Sequence, residues 1–375
     1  MSILHEIHVT GQSIWYDFIS RDFVRSGEMS RLVDAGIRGM TSNPTIFEKA
    51  IAESADYDDE IAALDGTFEG ETPPSTSAIA TALFITDVQM ACDVIRPVYE
   101  ASNGADGYIS LEVSPYLADD TDGTIEEAAR LYAAVNRANL MIKIPATPAG
   151  IPAIRRTIAD GINVNVTLIF SREQYRDVAE AYIAGLEDRH AAGNPVDNIA
   201  SVASVFVSRV DGMIDGMLED IGQETAAELR GKAGLANARL IYRDFSEIFG
   251  AERFASLVAA GAARQRPLWA STSTKNPSYP DLLYIDNLIG PDTVNTVPPA
   301  TLTAILDHGS STAALGIFGT EDEVFFEKLE GAGIAVADVM TRLLSEGVMK
   351  FSASFDSLFE KIEEKRARLR AAAAE

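Results

Sequence analysis

The order of hydrophobic patterns predicts an α/β fold: a single (β/α)8 TIM barrel with helical insertions and a C-terminal helical tail. Three observations carry this expectation. Short runs rich in β-branched apolar residues alternate with helical patterns, there are eight such runs, and four of them place polar residues on alternating positions of the same parity. A chain of 375 residues exceeds a minimal barrel but suits one with insertions, and no linker divides it, so residues 1–375 are read as one domain.

The strands are expected at Ser13–Phe18, Gly39–Ser42, Tyr108–Val113, Leu140–Ile144, Asn163–Ile169, Val202–Val207, Pro267–Ser271 and Val294–Val297. Helices fall between most of them. One is expected over Glu126–Asn136, opened by a capping box at Thr124-x-x-Glu127, and another follows Ser171-x-x-Gln174. The second places Tyr175, Val178, Tyr182 and Leu186 on one face, at amphipathic spacing. Three stretches exceed what a barrel needs. Residues 53–77 are acidic and rich in Pro, Gly and Thr, which suggests a surface insertion. Residues 211–265 read as several helices between the sixth and seventh strands, and residues 320–375 as a helical tail ending in the charged, Ala-rich Glu360–Glu375.

Apolar residues make up 47% of the chain, enough for a large core. No uninterrupted apolar run reaches the length of a membrane span, and Met1–Thr10 lacks the charged-then-apolar order of a signal peptide. The single cysteine, Cys92, cannot form an internal disulfide and fits a reducing, cytoplasmic setting; among Val88, Ile95 and Tyr99 it reads as a core residue. A net charge of −25 argues against nucleic acid or an anionic membrane as partner, so any phosphate site must be basic against the overall field. The histidines His5, His8, His190 and His308 show no metal-ligand spacing, and Gly-rich phosphate or dinucleotide loops are missing, so neither metal nor organic cofactor is expected.

A strand buried on both faces should be apolar throughout. Four strands break that rule. Leu140, Ile142 and Ile144 share one face and leave Lys143 on the other; Ile109, Leu111 and Val113 leave Ser110 and Glu112; Val164, Val166 and Leu168 leave Asn163, Asn165 and Thr167; Asp17 lies between Tyr16 and Phe18. Period-two alternation sends these polar groups to one side of the sheet, which in a barrel is the interior opening onto the C-terminal face. Lys143 then has two readings: a structural ion pair with Glu112 or Asp17, or a Schiff-base nucleophile, since desolvation disfavours a charged amine. Patterning leaves both open. The adjacent carboxylates suit the second, because carbinolamine chemistry needs proton transfers beside the lysine.

Five segments resemble the transaldolase family: Met40-Thr41-Ser42-Asn43-Pro44-Thr45, Lys143-Ile144-Pro145-Ala146-Thr147 with Gly150, Asn163 to Ser171, Val202 to Arg209, and Trp269 to Asn276. Each alone is unspecific; together they keep the family's order and spacing over about residues 12–350. The resemblance is to the longer bacterial branch, also found fused to glucose-6-phosphate isomerase. It implies that Lys143 forms an imine with a ketose, that Glu112 acts as acid and base through a water positioned by Thr167, and that Asp17 takes the C4 hydroxyl proton. It further implies that Thr41, Asn43 and Asn165 meet substrate hydroxyls, that Ser204, Phe206 and Arg209 line the distal pocket, and that Arg209, Ser273 and Lys275 hold a phosphate. Lys275 stands where many relatives carry Arg, and Ser273 where this branch is expected to carry Gly.

The reaction implied is transfer of dihydroxyacetone from sedoheptulose 7-phosphate to glyceraldehyde 3-phosphate in the non-oxidative pentose phosphate pathway, by a cytoplasmic monomer or homodimer. Blander readings stand beside these roles. Asn43-Pro44 is also a common turn opener, Asn165 and Thr167 suit polar packing, Arg209 suits a pair with Asp211, and Phe206, Trp15 and Trp269 suit a core. Two rival functions are a simple aldolase that releases free dihydroxyacetone and a non-catalytic sugar-phosphate binder.

Overall fold

Eight parallel strands close in sequence order: β1 (Gln12–Asp17), β2 (Gly39–Thr41), β3 (Tyr108–Glu112), β4 (Leu140–Pro145), β5 (Val164–Ile169), β6 (Ser201–Phe206), β7 (Arg266–Ala270) and β8 (Thr293–Val297), with β8 pairing back onto β1. The computed structural model describes residues 2–66, 74–222, 227–316 and 319–373. All eight expected strands form, each within a residue or two of its predicted ends.

Alternation divides the strand residues between two cores. Ile14, Tyr16, Ile109, Leu111, Ile142, Ile144, Val164, Val166 and Val205 face outward and pack with the surrounding helices. Trp15, Tyr108, Met141, Val202, Leu268 and Val294 face inward and fill the barrel as an apolar plug. Complete burial of such side chains contributes about 1.5–3 kcal/mol each, so both faces of the sheet stabilise it. Below the plug, Asp106 closes the N-terminal end, accepting hydrogen bonds from Ser13 Oγ (2.7 Å), Trp15 Nε1 (3.3 Å), Arg38 Nε (3.3 Å) and Arg266 Nη2 (2.9 Å).

The alternation fails at one expected position. Leu168 does not join Val164 and Val166; the register between β5 and β6 shifts between Val166 and Ile169, and Leu168 takes a left-handed backbone (φ 59°). That bulge re-aims Leu168 toward Phe170, Phe206 and the tail helix. Asn163 also lies just outside β5, where its amide bridges Ala138 O, Leu140 O and the Ala200 N–H.

The helix after Ser171 is capped as expected, with Ser171 Oγ accepting from Gln174 N and Gln174 Oε1 accepting from Ser171 N. The box at Thr124 and Glu127 does not form. Asp120 caps the helix a turn earlier, at Thr121–Val135, because its carboxylate accepts from Gly123 N (3.0 Å). Thr124 is thereby buried and donates to Leu117 O, while Glu127 pairs with Arg130.

Within the 53–77 stretch, residues Asp58–Gly66 are helical, and part of the expected insertion lies outside the described residues. The 211–265 stretch holds Ala233–Gly250 and Glu252–Ala259 and most of Ser208–Ile221; residues 223–226 lie outside the description. The tail forms Glu321–Gly331 and a 38-residue helix, Val336–Ala373, with residues 374–375 outside the description. The helix Thr76–Ala101 is long and apolar enough to cross a membrane by composition. Here it packs on the barrel through Leu83, Val88, Cys92 and Ile95 and buries Asp87 against Arg21 (2.9 Å).

The apolar plug depends on a missing side chain. A Cβ on Gly39 would lie 2.4 Å from the ring of Trp15, which is itself fully buried and tethered to Asp106. Gly39→Ala is expected to destabilise the fold by about 3 kcal/mol, the upper range for overpacking, as read by urea unfolding.

Candidate active site

The polar parity expected of the strands is realised inside the barrel mouth. β3, β4 and β5 are in register at Glu112, Lys143 and Asn165, and β1 pairs with β2 at Asp17 and Thr41. Lys143 Nζ lies 3.4 Å from Glu112 Oε2 and donates to the carbonyl of Ser42 (3.2 Å), just past β2. Asp17 Oδ1 accepts from Thr41 Oγ1 (2.6 Å), and Thr41 Oγ1 also meets Thr296 Oγ1 (2.6 Å). Burial pushes the Asp17 and Glu112 carboxyls above the ordinary range, although Lys143 pulls both back down.

Asp17, Thr41, Lys143 and Thr296 border a cavity of about 520 Å3 at the C-terminal ends of the strands. Of the residues expected at the site, Asp17, Thr41, Asn43, Lys143, Thr167, Ser204, Phe206, Arg209, Ser273 and Lys275 all line it. Glu112 and Asn165 do not. Asn165 is fully buried beneath the wall, donating to Ser110 Oγ (3.0 Å) and accepting from Ser204 Oγ (2.7 Å). Glu112 reaches Lys143 from the side and borders a second cavity, about 420 Å3, between the helices Thr76–Ala101, Thr121–Val135 and Val336–Ala373.

Several blander readings hold alongside cavity contact. Asn43 caps the helix Pro44–Glu53, its Oδ1 accepting from Ile46 N (3.1 Å), which leaves its amide N–H groups for the cavity. Phe206 packs on Phe170 (centroids 5.3 Å apart) while presenting a wall. Thr167 Oγ1 is buried with no hydrogen-bond partner among the described residues. Trp15 and Trp269 are core residues, as expected, and so is Cys92, whose thiol burial pushes well above its usual range.

Cations gather on the β6 and β7 side. Arg209 lies in the first turn of the helix Ser208–Ile221 and stacks over Phe206 (5.2 Å to the centroid); burial lowers its pKa, and Nη1 has no hydrogen-bond partner among the described residues. Lys275, on the loop after β7, donates to Ser273 Oγ (2.9 Å). Neither makes an ion pair among the described residues. The alternative pairing of Arg209 with Asp211 does not occur, because Asp211 is spent elsewhere. It accepts from Gly234 N (2.8 Å) and Tyr284 Oη (2.7 Å), while Asp215, one turn on, accepts from Gly231 N (2.9 Å) and Tyr279 Oη (2.7 Å). The helix that carries Arg209 thus also anchors the segment that carries Lys275.

Sequence reasoning missed Lys49, Thr296, Ser271 and Phe351 on the cavity wall. Thr296 follows Val294 at the inward parity of β8, so the same alternation contained it. Phe351 comes from the tail helix and had no local signal.

Fold and cavity define a barrel enzyme whose site lies where such barrels place their chemistry, at the C-terminal ends of the strands. Residues 14–362 match the Transaldolase/Fructose-6-phosphate aldolase family. The chain is 48% identical to the transaldolase of Trichodesmium erythraeum over 373 residues, covering 96% of this chain and 97% of that one. It is 48% identical to that of Mycolicibacterium smegmatis, covering 95% of each, and 47% identical to that of Thermobifida fusca, covering 96% and 97%. The chain belongs to this family and is an enzyme of its transaldolase group.

The Asp211 anchor carries a pH signature. Burial pushes its carboxyl up to about 6, although the bonds from Gly234 and Tyr284 draw it down. A raised carboxyl binds its proton more tightly in the folded state, so its contribution is full below the ordinary carboxylate range and is lost as pH rises through about 6. The stability of the native protein relative to Asp211→Asn should therefore fall by roughly 3 kcal/mol between about pH 4 and about pH 7.5, measured by urea titration at each pH.

Proposed function

We propose that this enzyme transfers a dihydroxyacetone unit from sedoheptulose 7-phosphate to glyceraldehyde 3-phosphate, giving erythrose 4-phosphate and fructose 6-phosphate, through an imine on Lys143. The observation that carries this reading is the convergence of buried Lys143 with two carboxyls of raised pKa, Glu112 beside its amine and Asp17 on the wall of the same cavity. A binding module has no need of that arrangement, which is costly unless the charges are used or paired.

The positions support the following chemistry. The Lys143 amine adds to the ketose C2 carbonyl, and loss of water gives the iminium. Glu112, 3.4 Å from Nζ, supplies and recovers protons through a water held with Thr167, whose hydroxyl has no partner among the described residues. Asp17 takes the C4 hydroxyl proton, the C3–C4 bond breaks, and its electrons pass to the imine as an enamine. The aldose phosphate leaves, the acceptor aldehyde enters, and the steps reverse. Two carboxylates in different surroundings divide the work: Glu112 faces the lysine, and Asp17 is held by Thr41 on the opposite wall. Thr41, Asn43 and Ser204 meet substrate hydroxyls, with Asn165 holding Ser204 in place from beneath. Phe206 forms part of the distal wall beneath Arg209. Arg209, Ser273 and Lys275 hold the phosphate, and the lack of an ion pair on Arg209 and Lys275 among the described residues supports that role in a chain of net charge −25.

Borohydride reduction in the presence of fructose 6-phosphate should leave a three-carbon adduct on Lys143, located by peptide mass spectrometry. Lys143→Ala should fold, form no adduct and lose activity by at least about ten-thousandfold, the scale for removing a covalent nucleophile. Activity retained in that variant excludes the imine.

Lys275→Ala should raise KM for phosphorylated ketoses by roughly tenfold to a hundredfold, the worth of one charged hydrogen bond, and leave unphosphorylated ketoses nearly unaffected. Equal effects on both, in steady-state assays of each, would place the phosphate elsewhere.

A further inference from the structure

The tail helix Val336–Ala373 does more than follow the barrel: it crosses the mouth and delivers a side chain to the reacting lysine. Phe351 lies in the middle of this helix, is buried, lines the cavity, and places its ring centroid 5.6 Å from Lys143 Nζ. That distance lies within the reach of a ring face for an ammonium group, about 6 Å. One turn further on, Phe355 borders the second cavity, beside Glu112, and packs on Phe84 of the helix Thr76–Ala101 (6.2 Å). The two rings, at i and i+4, therefore share a helix face and cover the lysine and its carboxylate partner together.

The helix is held in this position along its length. A Cβ on Gly347 would lie 2.9 Å from Leu168, the residue re-aimed by the β5 bulge, so the helix backbone sits directly on the barrel rim. Thr45 Oγ1 meets Ser354 Oγ (2.8 Å), Ser357 Oγ donates to Glu48 (2.6 Å), and Tyr116 Oη donates to Asp356 (2.5 Å). Further along, Lys365 pairs with Asp58 (2.7 Å) and Arg366 with Asp65 (2.6 Å). Such a spread of contacts fixes a wall rather than a loose end.

We propose that Phe351 is a positioning residue of the imine centre, its ring roofing Lys143 so that the enamine meets an acceptor aldehyde in preference to water. This rests on the imine reading above. Two fates compete for the enamine. In transfer, its C3 bonds to the acceptor carbonyl carbon, and the acceptor oxygen takes a proton. In hydrolysis, C3 takes a proton, water adds at C2, and the C2–N bond breaks to leave free dihydroxyacetone and the Lys143 amine. A ring over Nζ screens the enamine C3 from bulk water and its protons on the tail-helix side, leaves the one water shared by Glu112 and Thr167 for imine formation and release, and leaves open the β6 and β7 side, where the phosphate cations lie.

The test measures free dihydroxyacetone released from fructose 6-phosphate per transfer to an acceptor aldose phosphate, in the native enzyme, Phe351→Ala, Phe351→Leu and Ile362→Ala. Ile362 is fully buried on the same helix but does not line the cavity, so its variant loosens the tail without opening the roof. Phe351→Ala should raise the release-to-transfer ratio by about tenfold or more, equivalent to ~1.4 kcal/mol of relative barrier, with KM for the ketose phosphate within about twofold. Phe351→Leu, which keeps apolar bulk, should restore most of the native ratio, and Ile362→Ala should leave it unchanged. An unchanged ratio in Phe351→Ala that still forms the borohydride adduct overturns the inference, as does an equal rise in Ile362→Ala. Absence of the adduct in the native enzyme overturns the imine reading instead.

Discussion

One ammonium buried between two carboxylates is the constraint around which the barrel mouth is arranged. Lys143 can stay inside only because Glu112 offsets its charge and the Ser42 carbonyl takes one of its N–H groups. Asp17 adds a second carboxylate to the same low-dielectric space. Full ionisation of all three would leave an excess negative charge, and burial raises both carboxyls accordingly. Both carboxyls therefore hold a proton more tightly than an exposed carboxyl does. A set poised in this way is sensitive to water, which explains why its walls come from so many parts of the chain.

The barrel is graded from end to end by that need. At the base, Asp106 gathers Arg38 and Arg266; above it, Trp15, Tyr108, Met141, Val202, Leu268 and Val294 form a dry plug. Next comes a polar layer in which Ser110, Asn165 and Ser204 satisfy one another, and Thr41 joins Asp17 to Thr296. Buried polar groups are tolerable there because each has a partner. Two buried groups without a hydrogen-bond partner among the described residues, the Thr167 hydroxyl and one nitrogen of Arg209, belong to residues that line the cavity proposed for substrate.

Charge is handled by the same economy. In a chain of net charge −25, many arginines are committed: Arg172 and Arg176 share Asp244, and Arg253 spans Glu180 and Glu187. Arg209 and Lys275 make no ion pair among the described residues, and the carboxylates nearest to Arg209 in sequence, Asp211 and Asp215, are turned to anchor a helix start and two tyrosines. Close cations prevail over a distant negative field, since screening confines that field to about 8–10 Å at ordinary salt.

The amino-acid sequence by itself determined the eight strands, the inward parity of Asp17, Glu112, Lys143 and Thr167, and the family, because period-two alternation and motif spacing are local properties of the chain. Even there, a stronger neighbouring cap moved the start of one helix from the expected box at Thr124 to Asp120, and a bulge turned Leu168 out of its expected row. Thr296 was legible in the same alternation and was overlooked. Other features belong to tertiary structure alone. Asn165 and Glu112 share the parity of Lys143, yet the closed sheet sets them behind the cavity wall, since depth in a barrel depends on register between strands. The roof of Lys143 comes from Phe351, more than two hundred positions along the chain, and no pattern in a helix announces which distant residue its face will cover.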